Sequence, residues 1–336
     1  MLSKDFRGEI WTNVDDAVMK ALVSVNSETI DGCVGGDSYS LKAIDTVQAQ
    51  FNEKIYATFT INGTGANIVA LKAMLDRWSC IISAKDTHIN VHESAAYEYT
   101  LGSKILYADS DDGKLTPELI DDVLTFNRSC GHIPKVVVIT QPTELGVLYS
   151  IDELKRLCDH VHSLGMYVYV DGARLGNALA ALNTDLGTMM GSTGVDAFSI
   201  GGTKSGAMFG EMVIFRHEQF SKNLAYLRKQ SFQHFDKSKF MGVQFNCLFE
   251  NDRWINNARI ANTRAKYLEK GLREKGIEIF YPVDTNAIFA VFDKNTYDAV
   301  SQKYDIHYWD ERKRIVRFVT SFSTTEVDVD KLIEII

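Results

Sequence analysis

An α/β fold built on a mostly parallel sheet is predicted by three features of this chain. Between Ile55 and Phe215, short β-branched runs alternate with amphipathic segments. Such alternation implies right-handed β-α-β units and a sheet covered on both faces. Several of the runs end in glycine-rich or polar clusters, as strands do when they deliver side chains to one sheet edge. After Phe240 the pattern gives way to a long helical stretch and shorter strands, the mark of a smaller α+β unit.

Along the chain, the strand candidates of the first part are Ile55–Thr60, Cys80–Ser83, Lys104–Tyr107, Lys135–Thr140, Met166–Val170, Asp196–Ile200 and Glu211–Phe215. The helices between them fall at Gly65–Trp78, Pro117–Asn127 and Ile151–Leu164. Thr116-Pro117 places an N-cap before a proline at the first helical position. Ser150 with Glu153 three residues on reads as a capping box. The second part has a helical stretch from about Leu248 to Lys275, strands at Asn286–Phe292, Ile306–Trp309 and Ile315–Val319, and a last helix from Glu326. The reading divides the chain into a large domain, 1–245, whose first 30 residues reach the active site or a subunit interface, and a small C-terminal domain, 246–336.

At 336 residues the chain can bury a large core. A hydrophobic fraction of 45% with 24% charged residues belongs to an ordinary soluble globular protein. The formal net charge of −8, with no block of Lys or Arg, argues against nucleic acid as a partner. Five scattered cysteines without a Cys-x-x-Cys pair point to free thiols in a reducing compartment and to no metal site. MLSKDFRGEIW lacks the apolar core of a signal peptide, no apolar run approaches membrane-spanning length, and the expected location is the cytoplasm.

The chemistry collects where strands end. Asp171 follows the apolar run Met166–Val170, and Lys204 follows Asp196–Ile200 within Gly201-Gly202-Thr203-Lys204-Ser205-Gly206. An amine that forms a Schiff base and an acid that keeps a pyridine nitrogen protonated are the two protein groups a pyridoxal phosphate site needs. Gly63-Thr64-Gly65-Ala66-Asn67 lies between a strand and a helix, where free N–H groups and a hydroxyl suit a phosphate. Alone, such a turn is as often structural. Arg174 suits a phenolic oxygen or, equally, an ion pair with Asp171. His88 ends a strand as an acid, a base or a stacking ring, with His92 as its competitor. Arg317 lies in a strand of the small domain, either at the surface or as a clamp on a substrate carboxylate.

With these residues assembled, the chain resembles the threonine aldolase/β-eliminating lyase family of fold type I, aspartate-aminotransferase-like pyridoxal phosphate enzymes. Gly63-Thr64-Gly65-Ala66-Asn67 is similar to the family's phosphate turn, and Asp86-Thr87-His88-Ile89 with Glu93 to its stacking-histidine segment. Val170-Asp171-Gly172-Ala173-Arg174 with Asn177-Ala178 is a specific match. Thr203-Lys204 resembles the Schiff-base position, and Ile315-Val316-Arg317-Phe318-Val319-Thr320 the strand that carries the carboxylate-binding arginine.

The resemblance implies a seven-stranded main sheet and a homo-oligomer, dimer or tetramer, with shared active sites. It makes Lys204, His88 and Asp171 catalytic and Arg317 and Arg174 substrate-binding. It sets Gly63, Thr64, Asn67, His88, Asp171, Arg174, Thr203, Lys204 and Arg228 around pyridoxal 5'-phosphate. Gly35-Gly36-Asp37-Ser38-Tyr39 is similar to a family segment whose tyrosine completes the neighbouring subunit's site, and His132 to a second histidine near the substrate.

Phe6-Arg7-Gly8-Glu9 stands where the family has a Ser-Asp pair, and Gln141-Pro142-Thr143 where it has Glu-Asn-Thr. The family's Gly-Gly-Gly-Met-Arg-Gln stretch is absent. The activity implied is cleavage of a β-hydroxy-α-amino acid to glycine and an aldehyde. Alternatives are β-elimination on the same fold, a nucleotide-binding oxidoreductase using the glycine turn, and a protein that keeps the fold without catalysis.

Overall fold

The computed structural model describes residues 1–3, 5–29 and 31–336. Among the described residues, seven strands form the main sheet: β1 (Tyr56–Thr60), β2 (Ser79–Ala84), β3 (Ile105–Ala108), β4 (Ile133–Thr140), β5 (Tyr167–Asp171), β6 (Ala197–Gly201) and β7 (Glu211–Phe215). Their order is β1-β7-β6-β5-β4-β2-β3. β7 runs antiparallel to both of its neighbours, and the remaining pairings are parallel.

The central strands are apolar on both faces because both faces are covered. Val137, Ile139, Val168, Val170, Phe198 and Ile200 enter one core, with Leu154, Leu157 and Val161 of the helix Ile151–Ser163. Their alternates Val136, Val138, Tyr169 and Ala197 enter the other, against Ile68, Leu71 and Met74 of the helix Gly63–Met74. Thr116 caps the helix Pro117–Asn127, and Ser150 and Glu153 exchange the two bonds of a capping box.

A smaller antiparallel sheet holds β8 (Glu278–Ile279), β9 (Ala287–Val291), β10 (Tyr308–Asp310) and β11 (Ile315–Val319) in the order β10-β11-β9-β8. The helical stretch expected from Leu248 to Lys275 is two helices, Lys239–Phe249 and Arg253–Glu274. Asn251 and Asp252 separate them with positive φ, a conformation asparagine and aspartate tolerate better than most residues. The second helix buries Leu268 and Leu272 under the small sheet. Through Asn262 it exchanges hydrogen bonds with Asn177 on the helix Leu175–Leu182.

The amino terminus belongs to both parts. Ser3 bridges to Tyr304, the Val319 N–H donates to the Phe6 carbonyl, and Phe6 packs in the small-sheet core. A division at 245/246 remains our proposal for the two domains; the helix Lys239–Phe249 crosses it in sequence and Phe6 crosses it in space. Among the described residues no helix is long and apolar enough to cross a membrane.

Candidate active site

Four loops at the carboxyl edge of the main sheet meet around one cavity of about 160 Å³. Its wall includes Gly63 and Thr64 after β1, His88 after β2, Asp171 and Ala173 at the end of β5, and Thr203 and Lys204 after β6. Lys204 and Asp171 therefore face the same space. Two glycines allow the approach of their loops. A Cβ on Gly172 would lie 1.9 Å from the Ser199 carbonyl oxygen, and one on Gly201 would lie 2.1 Å from the Ala173 carbonyl oxygen. Any side chain at either position would push the two strand ends apart.

Asp171 is held from behind. Its Oδ1 accepts the Ala173 N–H at 3.0 Å, and its Oδ2 accepts from Asn67 Nδ2 at 2.9 Å. Asn67 also donates to Glu93 Oε1 at 2.7 Å and accepts from the Tyr169 hydroxyl at 2.8 Å. Asn67, expected at the cofactor, is buried, has both its amide N–H groups committed within the protein, and orients Asp171. Glu93 Oε1 further binds His88 Nδ1 at 2.8 Å, which directs the Nδ1 proton to the carboxylate. Burial disfavours the His88 imidazolium, but the bond to Glu93 and the charges of Glu144 and Asp171 outweigh it, and the pKa rises. Donor atoms of His88, Glu93 and Asp171 lie within 4.8 Å of one another, yet an Asn67 N–H points at both carboxylates, an arrangement hostile to a cation.

The helix Gly63–Met74 presents its amino end to the cavity. Asn62 caps Gly65 N, and among the described residues the N–H groups of Gly63 and Thr64 have no protein acceptor. A Cβ on Gly65 would sit 2.2 Å from the end of the Gln233 side chain, which would have to move to make room.

Arg174 pairs neither with Asp171 nor across the cavity wall. Its Nε and Nη2 form a fork on Glu9, at 2.6 and 3.2 Å, and Asn286 Nδ2 adds a third bond to Glu9 at 2.7 Å. Burial opposes the Glu9 charge, but Arg174 and Lys204 hold its carboxyl down at about 2. Arg317 lies in an adjoining cavity of about 370 Å³ with His92, Trp11 and Trp309. Ile10 lies on the wall of both cavities. The Arg317 guanidinium stands 4.6 Å over the Trp309 ring, and among the described residues no carboxylate pairs with it. Burial and the nearby Arg174 lower its pKa, so a carboxylate entering here would relieve both. His92 sits between the His88 and Trp309 rings, and burial pushes its pKa down.

Three expected residues lie elsewhere. His132 precedes β4 at the amino end of the strand, the edge opposite the cavity. Arg228 donates to the Val34 carbonyl at 3.0 Å and is not on the cavity wall. The Tyr39 hydroxyl donates to Glu28 at 2.5 Å, away from its own chain's cavity.

Three acids were missed by sequence reasoning: Glu9, Glu144 and Glu211. Glu211 lines the cavity and accepts the Gly202 N–H at 3.1 Å. Burial pushes its carboxyl up to about 8, against the pull of Lys204. Folded Glu211 keeps its proton at pH values where the unfolded chain, near 4.5, has lost it. Its contribution to stability therefore falls as pH rises from about 4.5 to about 8, by roughly 1.4 kcal/mol per unit. Glu211→Gln mimics the neutral acid. In urea titrations of the cofactor-free protein its stability should gain on the wild type progressively over this window, by on the order of 4 kcal/mol at pH 8. A difference independent of pH would show that Glu211 is ionised in the fold.

Comparison with known proteins agrees with this geometry. The model of the beta-eliminating lyase family matches residues 5–295. The low specificity L-threonine aldolase of Pseudomonas sp. (strain NCIMB 10558) is 32% identical over 334 residues, 98% of this chain and 96% of that protein. The solved structure of Leishmania major threonine aldolase superposes with a TM-score of 0.92 at 28% identity, over 98% of this chain and 97% of that one. An aspartate aminotransferase double mutant of Thermus thermophilus shares the fold at 15% identity, with a TM-score of 0.72 over 99% of this chain and 90% of that one.

Proposed function

The chain belongs to the beta-eliminating lyase family, and from that premise we propose that it is a pyridoxal-phosphate-dependent aldolase that cleaves a threonine-like β-hydroxy-α-amino acid to glycine and an aldehyde. One observation carries the reading: Lys204 and Asp171 line the same cavity, and the free N–H end of a helix borders it as well. An amine, an acid and an anion site in one enclosed space are the donor set that pyridoxal phosphate requires.

Bound there, the cofactor would supply an aldehyde for an amine and an electron-withdrawing ring for the carbon beside it. The chain supplies the rest. Lys204 would be the amine that holds the cofactor. The Asp171 carboxylate, fixed by Asn67 and Ala173, would keep a proton on the cofactor's ring nitrogen. Gly63 and Thr64, with the Thr203 hydroxyl nearby, receive the phosphate. His88, held at Nδ1 by Glu93, stands on the wall of the same cavity and would flank the cofactor. Arg317 takes the substrate carboxylate, with Arg174 behind it held in place by Glu9.

We also propose a cytoplasmic homo-oligomer of two or four chains, in which Tyr39 completes the neighbouring subunit's site. The position of Tyr39 beside Glu28, outside its own cavity, supports this reading.

The test is product analysis with threonine. Glycine and acetaldehyde in equal amounts are expected from the protein supplied with pyridoxal phosphate. A keto acid and ammonia would replace this reading with β-elimination.

A further inference from the structure

Glu144 differs from every other buried acid around the cavity. Glu9 is paired with Arg174, Glu93 and Asp171 share Asn67, and Glu211 accepts the Gly202 N–H. Glu144 lies four residues beyond Thr140, the last residue of β4, which is in register with Asp171. Its side chain is only 6% exposed. Among the described residues no donor makes a hydrogen bond to its carboxylate, and the nearest cation, Arg174 Nη1, is 3.9 Å from Oε2. The charges of Arg174, Lys204, His88 and Arg317 nevertheless all act on it, and its own charge acts on His92.

A buried carboxylate that accepts no hydrogen bond, beside Arg174 and in the field of the groups that would receive an amino acid's amine and carboxylate, is suited to take a proton from a group on the substrate's next carbon. We propose that Glu144 is a further catalytic residue, the acceptor of the substrate's β-hydroxyl proton during carbon–carbon cleavage; this rests on the aldolase reading above.

In the step, the proton passes from the β-oxygen to the Glu144 carboxylate. The O–H electron pair becomes the second bond of the aldehyde carbonyl. The Cα–Cβ pair stays on Cα, which takes up a proton to become glycine, and Glu144 releases its own proton before the next turnover. Nothing is oxidised or reduced beyond this internal exchange.

The charges favour this order of events. Burial alone would raise the Glu144 pKa, but Arg174, Lys204, His88 and Arg317 together lower it, so the resting carboxylate is free of a proton. A substrate carboxylate on Arg317 and Arg174 cancels part of that field. Glu144 thus becomes a better proton acceptor when substrate is present. His88 suits the role less well, since its raised pKa keeps a proton on the ring further into the neutral range.

Glu144→Gln in the cofactor-loaded enzyme tests the assignment through two reactions at one site. Cleavage of threonine breaks an O–H bond; exchange of a glycine α-proton for deuterium breaks only a C–H bond and needs no acceptor at the β-position. Threonine kcat is expected to fall at least about 100-fold, with glycine exchange and pyridoxal phosphate affinity within about threefold of wild type. Unchanged cleavage, or a parallel loss of cleavage and exchange, would overturn the proposal. Should the glutamine variant not fold, Glu144→Asp is read the same way: cleavage should drop about tenfold and exchange should hold, while equal losses overturn the assignment. A wild-type protein that makes keto acid and ammonia removes the aldolase reading and this one with it, before any variant is compared.

Discussion

Lys204→Ala is expected to fold normally, to bind pyridoxal phosphate without the yellow colour of the wild type, and to show no measurable threonine cleavage. The fold should tolerate the change because Lys204 sits in a short turn, Thr203–Ser205, whose geometry is set by backbone bonds to Gly202 and by the Ser205 hydroxyl on the Gly201 carbonyl. Among the described residues its side chain makes no ion pair within 4.0 Å, and Glu9 keeps its fork on Arg174 when the amine is removed. Activity should not tolerate it. Without the amine there is no covalent hold on the cofactor, and turnover should drop by about 10⁴-fold or more. Absorbance spectra, thermal melts and product assays on the same sample separate the two effects. Cleavage within tenfold of wild type would remove Lys204 from the chemistry.

Asp171→Asn is the second large effect. The substitution is nearly isosteric, and an amide oxygen can still accept the Ala173 N–H that now binds Oδ1 at 3.0 Å. What disappears is the negative charge that would stabilise a protonated ring nitrogen, together with the Oδ2 acceptor for Asn67. Loss of one preorganised charge from a buried site costs about 10²–10³-fold in kcat. Loss of a charge-assisted bond to the cofactor weakens its affinity by about 1.5–3 kcal/mol, or roughly 10–100-fold. Both numbers come from one titration series with pyridoxal phosphate followed by threonine kinetics. A kcat within about fivefold of wild type would mean that Asp171 serves Asn67 and the loop rather than the ring.

The parts of the fold that were legible in the sequence are those in which one residue pattern has one physical reading. Runs such as Val136–Ile139 and Val168–Val170 are apolar at every position because both faces of a parallel sheet are covered, and they were assigned correctly. Capping residues fixed the starts of two helices. The break at Asn251–Asp252 was not legible, since helix-forming residues flank it on both sides and the positive φ values are visible only in three dimensions.

The site divides the same way. Asp171 and Lys204 stand at the carboxyl ends of strands, where a parallel sheet gathers its ligands. Glu144 obeys that rule too, but it comes four residues after β4, beyond the altered Gln141–Thr143 stretch, where no local pattern marks it. Glu211 escaped because β7 is antiparallel: its first residue, not its last, reaches the ligand edge. His132 was misplaced in the opposite sense, as motif likeness outweighed its position before a parallel strand. Nothing local identifies Glu9, whose partners are distant in the sequence.

That distance has a kinetic consequence. Glu9 meets Arg174 across 165 positions and Asn286 across 277. Loops of this length close late, after the local hairpins and β-α-β units have formed. Arg174, proposed to back the substrate-carboxylate site, therefore gets its final orientation only when β9 docks on the amino-terminal turn. A ribosome-bound or partly refolded chain would hold the lysine and the acid of β5 in place, yet remain blind to amino acids until that last closure.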